Sequence, residues 1–421
     1  MFAFVNATVI DGTGAAPRKH QRVLIDGKRI AAVGSRINIP QDAPVIDIGG
    51  KILMPGLWEG HAHFGGVPRG GLEDREESQN FKDMRNVCLQ YGITTARSFG
   101  DYQTDTLRLR DQINRGEVRG PRLFCSGKTF VRADSHPVLT GWAGKEKIMN
   151  NCGYIPNTPD EARAMVNEGV AEGLDFFKII VSSGHISTYP KVYPAVAPEI
   201  VEAIVDEAHK FGKPVACHVD TLEQARMVVE RDADEVHHLI AEGSKKSELP
   251  EYEPLFREMC RKNTWLVPTI AIGYKNDPNR IAKGAPDGGG DQKAPVFRMA
   301  YEYGVRFAEG ADAGIAIMTW GVSTHDEIIK LVEDVGMTPL EAIRCATYNS
   351  AATMHRETES GVIKAGACAD ILILDKDPSA DIRNITSINR VLREGIVVAG
   401  EGATWTEEYT PCHEWPAYTL W

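Results

Sequence analysis

Between about residues 55 and 355, short apolar runs alternate with helical segments, and this alternation constrains the fold more than any other feature of the 421-residue chain. Residues 198–212 illustrate one helix, since Pro198 stands near its start, apolar residues repeat on one face and Gly212 ends it. With the apolar run 51–58 before His61, which we predict to be one buried strand, eight strands are predicted, and eight strand–helix units most economically close into an α/β fold, the (β/α)8 TIM barrel. The other seven runs are 94–99, 122–126, 176–181, 214–219, 235–239, 265–271 and 306–311.

The two chain ends have a different pattern. Residues 1–54 contain short alternating runs separated by Asp-Gly and other glycine turns, as in antiparallel hairpins, and residues 359–403 contain a matching piece. Neither segment alone is expected to bury both faces of a sheet, so we predict one small composite β-domain, a β-sandwich with the barrel (55–358) inserted between its parts. The remaining residues, 404–421, form an aromatic tail with three of the seven tryptophans, predicted to pack on a neighbouring subunit or on the barrel.

The composition restricts the classes of partner. A net charge of -11 argues against nucleic acid or an anionic membrane. The chain has no run of about 18 apolar residues and its N-terminus lacks the pattern of a signal peptide. Eight scattered cysteines without a Cys-x-x-Cys pair predict free thiols in a reducing compartment. We therefore predict a cytoplasmic enzyme that acts on a small molecule.

Two histidines and a lysine are the first candidate metal ligands. His61 and His63 follow the first apolar run at i and i+2, a spacing that a strand projects to one side, and a barrel offers such a pair to one metal ion. Lys178 lies inside the run 176–181, where burial would favour the neutral amine. A neutral amine can add carbon dioxide and become an anionic carbamate with two ligand oxygens. The alternative for Lys178 is an edge strand from which the side chain reaches solvent.

Three further candidates end later strands. His218 ends the run 214–219, where a buried histidine bonded to a carbonyl is the alternative. His237 and His238 are neighbours on a strand and should point to opposite faces, so we assign His238 to the barrel interior and His237 to the helices or to a position behind the ligands. Asp312 follows the eighth strand, where a turn or a helix cap is the alternative. Together, candidates on strands one, four, five, six and eight predict a metal centre.

Several of these motifs carry a resemblance. His-Ala-His after Met-Pro-Gly-Leu, the lysine of FFKI, and the segments ACHVD, VHHLI, EGADAG and MTPLEAIRCATYNSAATMH resemble the metal-dependent amidohydrolase superfamily over nearly the whole chain. The lysine makes the chain similar to the prolidase-like and ochratoxin-hydrolase-like branch. Imidazolonepropionase-like members share the overall pattern, although imidazolonepropionases themselves lack this lysine. Two departures are Trp58-Glu-Gly where Ile-Asp-x is more usual, and His237-His238-Leu where Glu-His-Gly is commoner.

The resemblance implies a (β/α)8 barrel with two divalent metal ions, usually zinc, and homo-oligomers are usual in the family. Ions of this kind stabilise a bridging hydroxide that attacks an amide carbonyl. Asp312 would take the hydroxide proton and return it to the leaving amine. Carried over by position, the ligands are His61, His63 and Asp312 for one metal, His218 and His238 for the other, and Lys178 as a carbamate between them.

The predicted function is a binuclear amidohydrolase that cleaves the C–N bond of an N-acyl amino acid, a dipeptide or an ochratoxin-like amide. A cyclic amidohydrolase that opens a lactam, hydantoin or imidazolone ring is the alternative enzyme. A deaminase is disfavoured because one metal usually suffices there. A catalytically silent metal-binding scaffold is the alternative from another class, and the complete ligand set argues against it.

Substrate-binding candidates lie in the loops. The polar loop 132–157 follows the third strand, and its His136 matches the position of a substrate-binding histidine in prolidase-like relatives. Arg132 would help it to receive a carboxylate, unless both are solvated loop residues. The glycine-rich loop 277–294 is predicted to act as a lid. Further candidates are His325, which either lines the pocket or begins the next helix, and Tyr189 and Tyr193.

Overall fold

The computed structural model describes residues 1–64, 79–182, 193–239, 249–273, 290–314, 318–404 and 407. Two bodies of secondary structure are present in these residues: a mainly antiparallel sheet and a set of parallel strands that alternate with helices. Most of the predicted lid and one candidate, Tyr189, lie outside the described residues.

The strands lie in the two chain-end segments and in the parallel sheets between them. They are β1 Phe2–Val9, β2 Arg18–Asp26, β3 Arg29–Gly34, β4 Val45–Asp47, β5 Ile52–Pro55, β6 Leu57–Ala62, β7 Ile93–Ser98, β8 Arg122–Cys125, β9 Thr129–Phe130, β10 Gly153–Tyr154, β11 Phe177–Ile180, β12 Val215–Val219, β13 Glu235–His238, β14 Trp265–Val267, β15 Arg306–Phe307, β16 Ile371–Leu374, β17 Ile388–Arg393 and β18 Ile396–Gly400.

Helices occupy the connections between the parallel strands. They are α1 Gln79–Gln90, α2 Gln103–Arg115, α3 Glu146–Cys152, α4 Pro159–Ala171, α5 Pro198–Lys210, α6 Leu222–Glu230, α7 Glu253–Lys262, α8 Gly290–Glu302, α9 Val322–Glu333, α10 Pro339–Arg344 and α11 Ser350–Thr353, with 3-10 turns at Leu249–Tyr252, Ile270–Gly273 and Ile382–Thr386 and a π-helical turn at Cys345–Asn349. The predicted helix at 198–212 is α5, with Pro198 in its first turn. Within the described residues, none of these helices is both long and apolar enough to cross a lipid bilayer.

Strands from both chain ends form one sheet. Its order is β18-β17-β16-β5-β1-β2-β3, with β4 parallel to β1. β16 pairs with β5 in an antiparallel register that sets Leu372 opposite Met54. Phe4, Ile25 and Ile371 lie in the hydrophobic core of this sheet. The C-terminal strands are therefore bonded directly to the N-terminal ones.

The parallel strands have the order of a (β/α)8 barrel, which confirms the predicted fold class. β6, β7 and β8 form one parallel sheet, and β11 to β15 pair in sequence order in a second one. Each step from one barrel strand to the next carries at least one helix. Apolar residues of these helices, such as Val201 and Ile204 of α5, pack on the strands in the main core.

Contacts at both junctions join the two parallel sheets. At one junction the amide of Asp175 donates to the carbonyl of Cys125 at 3.0 Å. At the other, Ala62 bridges to Ala313, beyond β15. A Cβ on Gly60 would lie 2.0 Å from the carbonyl oxygen of Glu309, so only glycine permits this approach of the first and last strands.

The prediction of a single strand over 51–58 is wrong. This apolar run contains two strands, β5 and β6, which belong to different sheets. They separate at Gly56, whose amide donates to the carbonyl of Asp370 at 2.9 Å, while the next amide, of Leu57, donates to Gly92. Because both strands are fully buried, hydrophobicity continues across the break and conceals it.

Two further predictions from the sequence concern the cysteines and the tail. The seven cysteines in the described residues are free, and five of them are buried. Of the tail, the structure describes Thr404 and Glu407. The carboxylate of Glu407 accepts hydrogen bonds from Arg85 and Asn86 of α1, so this point of the tail lies on the chain's own barrel.

Candidate metal centre

Hydrogen bonds to the Glu59 carboxylate and to the segment after β15 hold the two histidines at the end of β6. The carboxylate of Glu59 accepts from the amides of His61 at 3.0 Å and Ala311 at 2.9 Å. The amide of His63 donates to the carbonyl of Ala313 at 2.7 Å. These bonds span 252 positions of sequence in the case of Glu59 and Ala311, and they place Asp312 beside both imidazoles.

His61, His63 and Asp312 form a compact group of ligand atoms. Asp312 Oδ1 lies 3.1 Å from His63 Nε2 and 3.6 Å from His61 Nε2. The three side chains are buried, and one ligand atom from each lies within 4.8 Å of the other two. Two imidazole nitrogens and one carboxylate oxygen are a usual ligand set for zinc.

Among the candidate ligand residues in the described part of the chain, two buried atoms have no hydrogen-bond partner. One is Asp312 Oδ1, and the other is His238 Nε2. A buried polar atom without a partner is costly, and a bound metal ion would supply the missing partner. Asp312 and His238 also adopt φ values of +60° and +69°, a left-handed conformation that is strained for these residue types and recurs at functional sites. Both observations fit a metal ion at this position.

A second pair of imidazoles lies on β12 and β13. The rings of His218 and His238 are 4.2 Å apart between centroids. His218 Nε2 contacts Asp220 Oδ1 at 3.0 Å, and His238 Nδ1 contacts Thr269 Oγ1 at 2.7 Å. Each ring therefore has one nitrogen engaged by an oxygen and the other left for a ligand, as is typical of metal-binding histidines.

Lys178 lies between these two groups. Its side chain is 3% exposed, and its Nζ is 3.2 Å from His61 Nε2. Burial lowers the pKa of Lys178 to about 8, although Asp312 and Asp101 oppose the shift. β11 pairs with β9 and with β12, so Lys178 is on an internal strand, not on an edge. The amine is thus in the position that a bridging ligand would need.

The electrostatics of the cluster favour neutral rings at His61 and His238 and an ionised carboxylate at Asp312. Burial, with neighbouring Lys178 and the other histidines, lowers the pKa of His61 well below its usual value, and that of His238 behaves likewise. Burial opposes ionisation of Asp312, but the contact with His63 and the charge of Lys178 outweigh it and lower its pKa. Neutral imidazoles and carboxylates are the forms that bind metals.

Both histidines of β13 approach the same ring. His61 lies 4.8 Å from His237 and 4.9 Å from His238 between ring centroids. Simple strand alternation predicted opposite faces, but the left-handed conformation of His238 ends the strand and changes the direction of its side chain. His237 lies behind His61, with the two Nδ1 atoms 2.8 Å apart.

The substrate-binding candidates occupy different surroundings. His136 lies 6.2 Å from His218 between ring centroids, and its Nδ1 contacts Thr140 Oγ1 at 2.7 Å. Burial lowers the pKa of His136 to about 4. Arg132 forms an ion pair with Asp134 at 2.5 Å and donates to the carbonyl of Ala195. Of these loop residues, His136 is the one the structure places beside a ligand.

His325 and Tyr193 lie elsewhere in the described residues. His325 is buried in the first turn of α9, and its Nε2 contacts the carbonyl oxygen of Tyr91 at 2.9 Å. This position matches the alternative that His325 begins the next helix. Tyr193 is half-buried just before α5. The roles of His325, Tyr189 and Tyr193 in substrate binding stay predictions.

Several polar residues of the centre were not singled out from sequence. Glu59, Asp220 and Thr269 each bond a ligand residue or its backbone. Arg97 and Glu235 form a buried ion pair at 2.7 Å behind His237. In the sequence, these residues are marked only by a position on, or just after, a predicted barrel strand. Many other residues share such a position, so it could not single them out.

A barrel that gathers buried imidazoles and a carboxylate at the ends of its strands is an arrangement suited to metal-dependent hydrolysis. Residues 52–398 match the model of the amidohydrolase family, and the chain belongs to that family. Members of this family are generally metal-dependent. Membership, together with the relatives described below, shows that the protein is a hydrolase that acts on amide C–N bonds.

Individual relatives extend this result. Ochratoxinase from Aspergillus niger is 25% identical over 433 residues, which cover 95% of this chain and 87% of that protein. A crystal structure of a Xaa-Pro dipeptidase with methionine bound in the active site has a TM-score of 0.79 at 26% identity, covering 95% of this chain and 100% of the other. Phenylurea hydrolase B has a TM-score of 0.80 at 26% identity, covering 97% and 99%. The resemblance to a prolidase-like and ochratoxin-hydrolase-like branch is thereby confirmed.

Proposed function

We propose that the protein is a binuclear metal-dependent amidohydrolase that cleaves an N-acyl amino acid, a dipeptide or an ochratoxin-like amide. The observation that carries the proposal is the pair of buried atoms without a hydrogen-bond partner, Asp312 Oδ1 and His238 Nε2, one in each ligand group. A metal ion at each group would satisfy both atoms.

The grouping of the side chains supports the ligand assignment that the family resemblance implies. His61, His63 and Asp312 would hold one ion, and His218 and His238 the other. Lys178, as a carbamate, would contribute one oxygen to each. Its formation joins the amine nitrogen to the carbon of carbon dioxide with loss of a proton, and the lowered pKa of Lys178 increases the share of free amine that can react.

When bound, two divalent ions lower the pKa of water, so that a hydroxide is available at neutral pH, and polarise the amide carbonyl. Asp312 would accept the proton of the attacking hydroxide as it adds to the carbonyl, because its lowered pKa keeps the carboxylate ionised. The new C–O bond then forms, the C–N bond breaks, and Asp312 gives the proton to the leaving nitrogen. The same carboxylate thus serves as base and acid.

The substrate class is supported by one neighbour and by the relatives. His136 stands next to His218, at the edge of the ligand group, where an imidazole would bind a substrate carboxylate. The similarity to a dipeptidase supports a linear amide with a free carboxylate. Arg132 would need to leave Asp134 to join this contact.

A metal and substrate screen tests the proposal. Metal analysis of the purified protein should give two ions per chain, and an amide panel should show faster hydrolysis of dipeptides or N-acyl amino acids than of their carboxylate-blocked analogues. Equal rates on both would remove the carboxylate contact. Turnover of lactams, hydantoins or imidazolones alone would instead favour a cyclic amidohydrolase, and absence of both metal and turnover would favour a scaffold.

The remaining expectations accompany this proposal. Zinc as the metal, a small-molecule amide as the partner and a homo-oligomeric assembly stay predictions, as does a cytoplasmic location without nucleic acid or membrane binding. Metal replacement, size-exclusion chromatography with light scattering, and cell fractionation would measure them.

A further inference from the structure

A chain of buried side chains leads from His61 away from the ligand group. His61 Nδ1 lies 2.8 Å from His237 Nδ1, and His237 Nε2 lies 3.0 Å from Glu235 Oε2. Arg97 donates two hydrogen bonds to Glu235, at 2.7 and 2.8 Å. All four residues are at most 1% exposed. We call this row the His61 relay.

The direction of each hydrogen bond in the His61 relay follows from the groups at its far end. Arg97 has only donors and the carboxylate of Glu235 has only acceptors, so His237 must donate Nε2–H to Glu235. In a neutral ring, His237 Nδ1 is then an acceptor, which requires His61 to donate its Nδ1–H. His61 Nε2 consequently carries a lone pair and no proton.

That lone pair faces the ligand group. His61 Nε2 is 3.2 Å from Lys178 Nζ and 3.6 Å from Asp312 Oδ1. The wrong tautomer of His61 would present an N–H there instead, and an imidazole nitrogen that bears a proton cannot bind a metal.

The far end of the His61 relay is fixed by packing. Arg97 also donates to Thr353 Oγ1 at 2.8 Å. Its guanidinium lies 4.8 Å from the ring centroid of Phe99 and 4.5 Å from that of Phe176. These contacts help to hold the guanidinium in the orientation that pairs with the carboxylate of Glu235.

We propose that Arg97, Glu235 and His237 are positioning residues that fix the tautomer of His61 for metal binding. This inference rests on the proposed function, since it assumes an ion at His61. It assigns a role to His237, which stands where Glu is commoner in the resembling family, and to an ion pair that contacts no ligand directly.

An isosteric substitution of Glu235 should reverse the direction of the hydrogen bonds in the His61 relay. In Glu235→Gln, the amide oxygen would face the donors of Arg97 and the amide NH2 would face His237. His237 Nε2 would then accept, its Nδ1 would donate, and His61 would carry its proton on Nε2. We expect one of the two ions to bind about 10–100-fold more weakly, as is typical when a partner behind a metal ligand is changed. The other ion should keep its affinity.

A second pair of variants tests the same point without altering Glu235. Asn at position 237 can place its Oδ1 near the position of Nδ1 and still accept from His61, whereas Leu cannot. We expect His237→Asn to retain most of the metal affinity that His237→Leu loses. A merely structural role would predict similar losses of stability in both and no difference in metal affinity.

The measurement is competition of the apo-protein with a chromophoric chelator for Zn2+, alongside the thermal midpoint of each variant. Glu207→Gln is the matched control, because Glu207 is also a carboxylate that accepts from a cation and an amide, but on α5, outside the relay. Nitrogen-15 spectra of histidine in the apo-protein should show His61 protonated at Nδ1 in the wild type and at Nε2 in Glu235→Gln.

The outcomes separate the two proposals. Absence of Zn2+ binding by the wild type would remove the proposed function itself. If the wild type binds two ions and a folded Glu235→Gln binds both with unchanged affinity, the relay does not set the tautomer and the inference is overturned. If Glu235→Gln does not fold, equal affinities of His237→Asn and His237→Leu would overturn it.

Discussion

The two ligand groups of the centre are supported in different ways. On β6 and after β15, His61 and His63 contact the carboxylate of Asp312 directly. On β12 and β13, His218 and His238 face each other, and the carboxylate of Asp220 contacts Nε2 of His218. The first group therefore brings its own anionic ligand, whereas the second brings neutral nitrogens.

This difference indicates where the centre depends on Lys178. A divalent ion between two imidazoles needs anionic ligands to balance its charge, and the carboxylate that the described residues place in a compact ligand group, Asp312, belongs to the first group. A carbamate on Lys178 would supply the charge. The first group should thus retain an ion without the lysine, and the second should not.

Removal of the carboxylate from the first group should have the largest effect. In Asp312→Asn the side chain keeps its shape but cannot accept a proton, so we expect kcat/KM to fall by roughly 10²–10⁴-fold or more. Asp381→Asn is the matched control, because Asp381 caps a 3-10 turn near the sheet of the chain ends. Steady-state kinetics on the best amide of the panel would measure both. Activity of Asp312→Asn equal to that of the control would assign the proton transfer elsewhere.

Loss of the lysine should distinguish the two groups most clearly. In Lys178→Ala we expect the metal content to fall from two ions to one per chain, with loss of most activity, because the His218 and His238 pair loses its anionic ligand. Lys364→Ala, on the exposed surface, should keep both ions. Elemental analysis after dialysis measures the ratio. Two ions in Lys178→Ala would show that the carbamate does not bridge.

The candidate ligands could be singled out from the sequence because each one combines a distinctive residue with the end of an apolar run. His61, His63 and His218 could be found in this way, and the barrel brings such ends together whatever the loops contain. Asp312 could be assigned as a candidate ligand only because a predicted strand precedes it. The rest of the centre depends on contacts between strands distant in sequence.

The residues behind the candidate ligands show why the sequence alone could not predict the rest of the centre. Arg97 and Glu235 are 138 positions apart, and nothing local distinguishes this ion pair from surface charges. The positive φ of His238 changes its direction, so alternation alone could not describe how His237 and His238 both approach His61. Similarly, β5 and β6 read as one strand because both are buried, and only the pairing partners separate them.

The hydroxyl behind the second group should have a smaller effect than either ligand. Thr269 Oγ1 engages His238 Nδ1 and leaves Nε2 for an ion. In Thr269→Val we expect the ion at His238 to bind about 10-fold more weakly, since the ring loses its orienting partner. Thr106→Val, which removes a hydroxyl bonded within α2, is the control. The same chelator competition measures both variants. A loss of affinity in both alike would indicate general destabilisation.

The smallest expected effect concerns stability in acid. It compares the ion pair of Arg97 and Glu235 behind His61 with the hydroxyl of Thr269 that contacts His238. Burial opposes ionisation of Glu235, but the charge of Arg97 outweighs it and lowers the pKa of Glu235 to about 2 from 4.5. The unfolded chain therefore binds this proton more readily, so the stabilisation is complete above pH 4.5 and is lost as the pH falls towards 2. Between about pH 5 and pH 3 this carboxylate should account for roughly 2 kcal/mol of the loss in unfolding free energy. Urea unfolding at the two pH values should show the loss in the wild type and in Thr269→Val, but less of it in Glu235→Gln. An equal decline in all three would mean that the Arg97–Glu235 pair does not remain ionised in the folded protein.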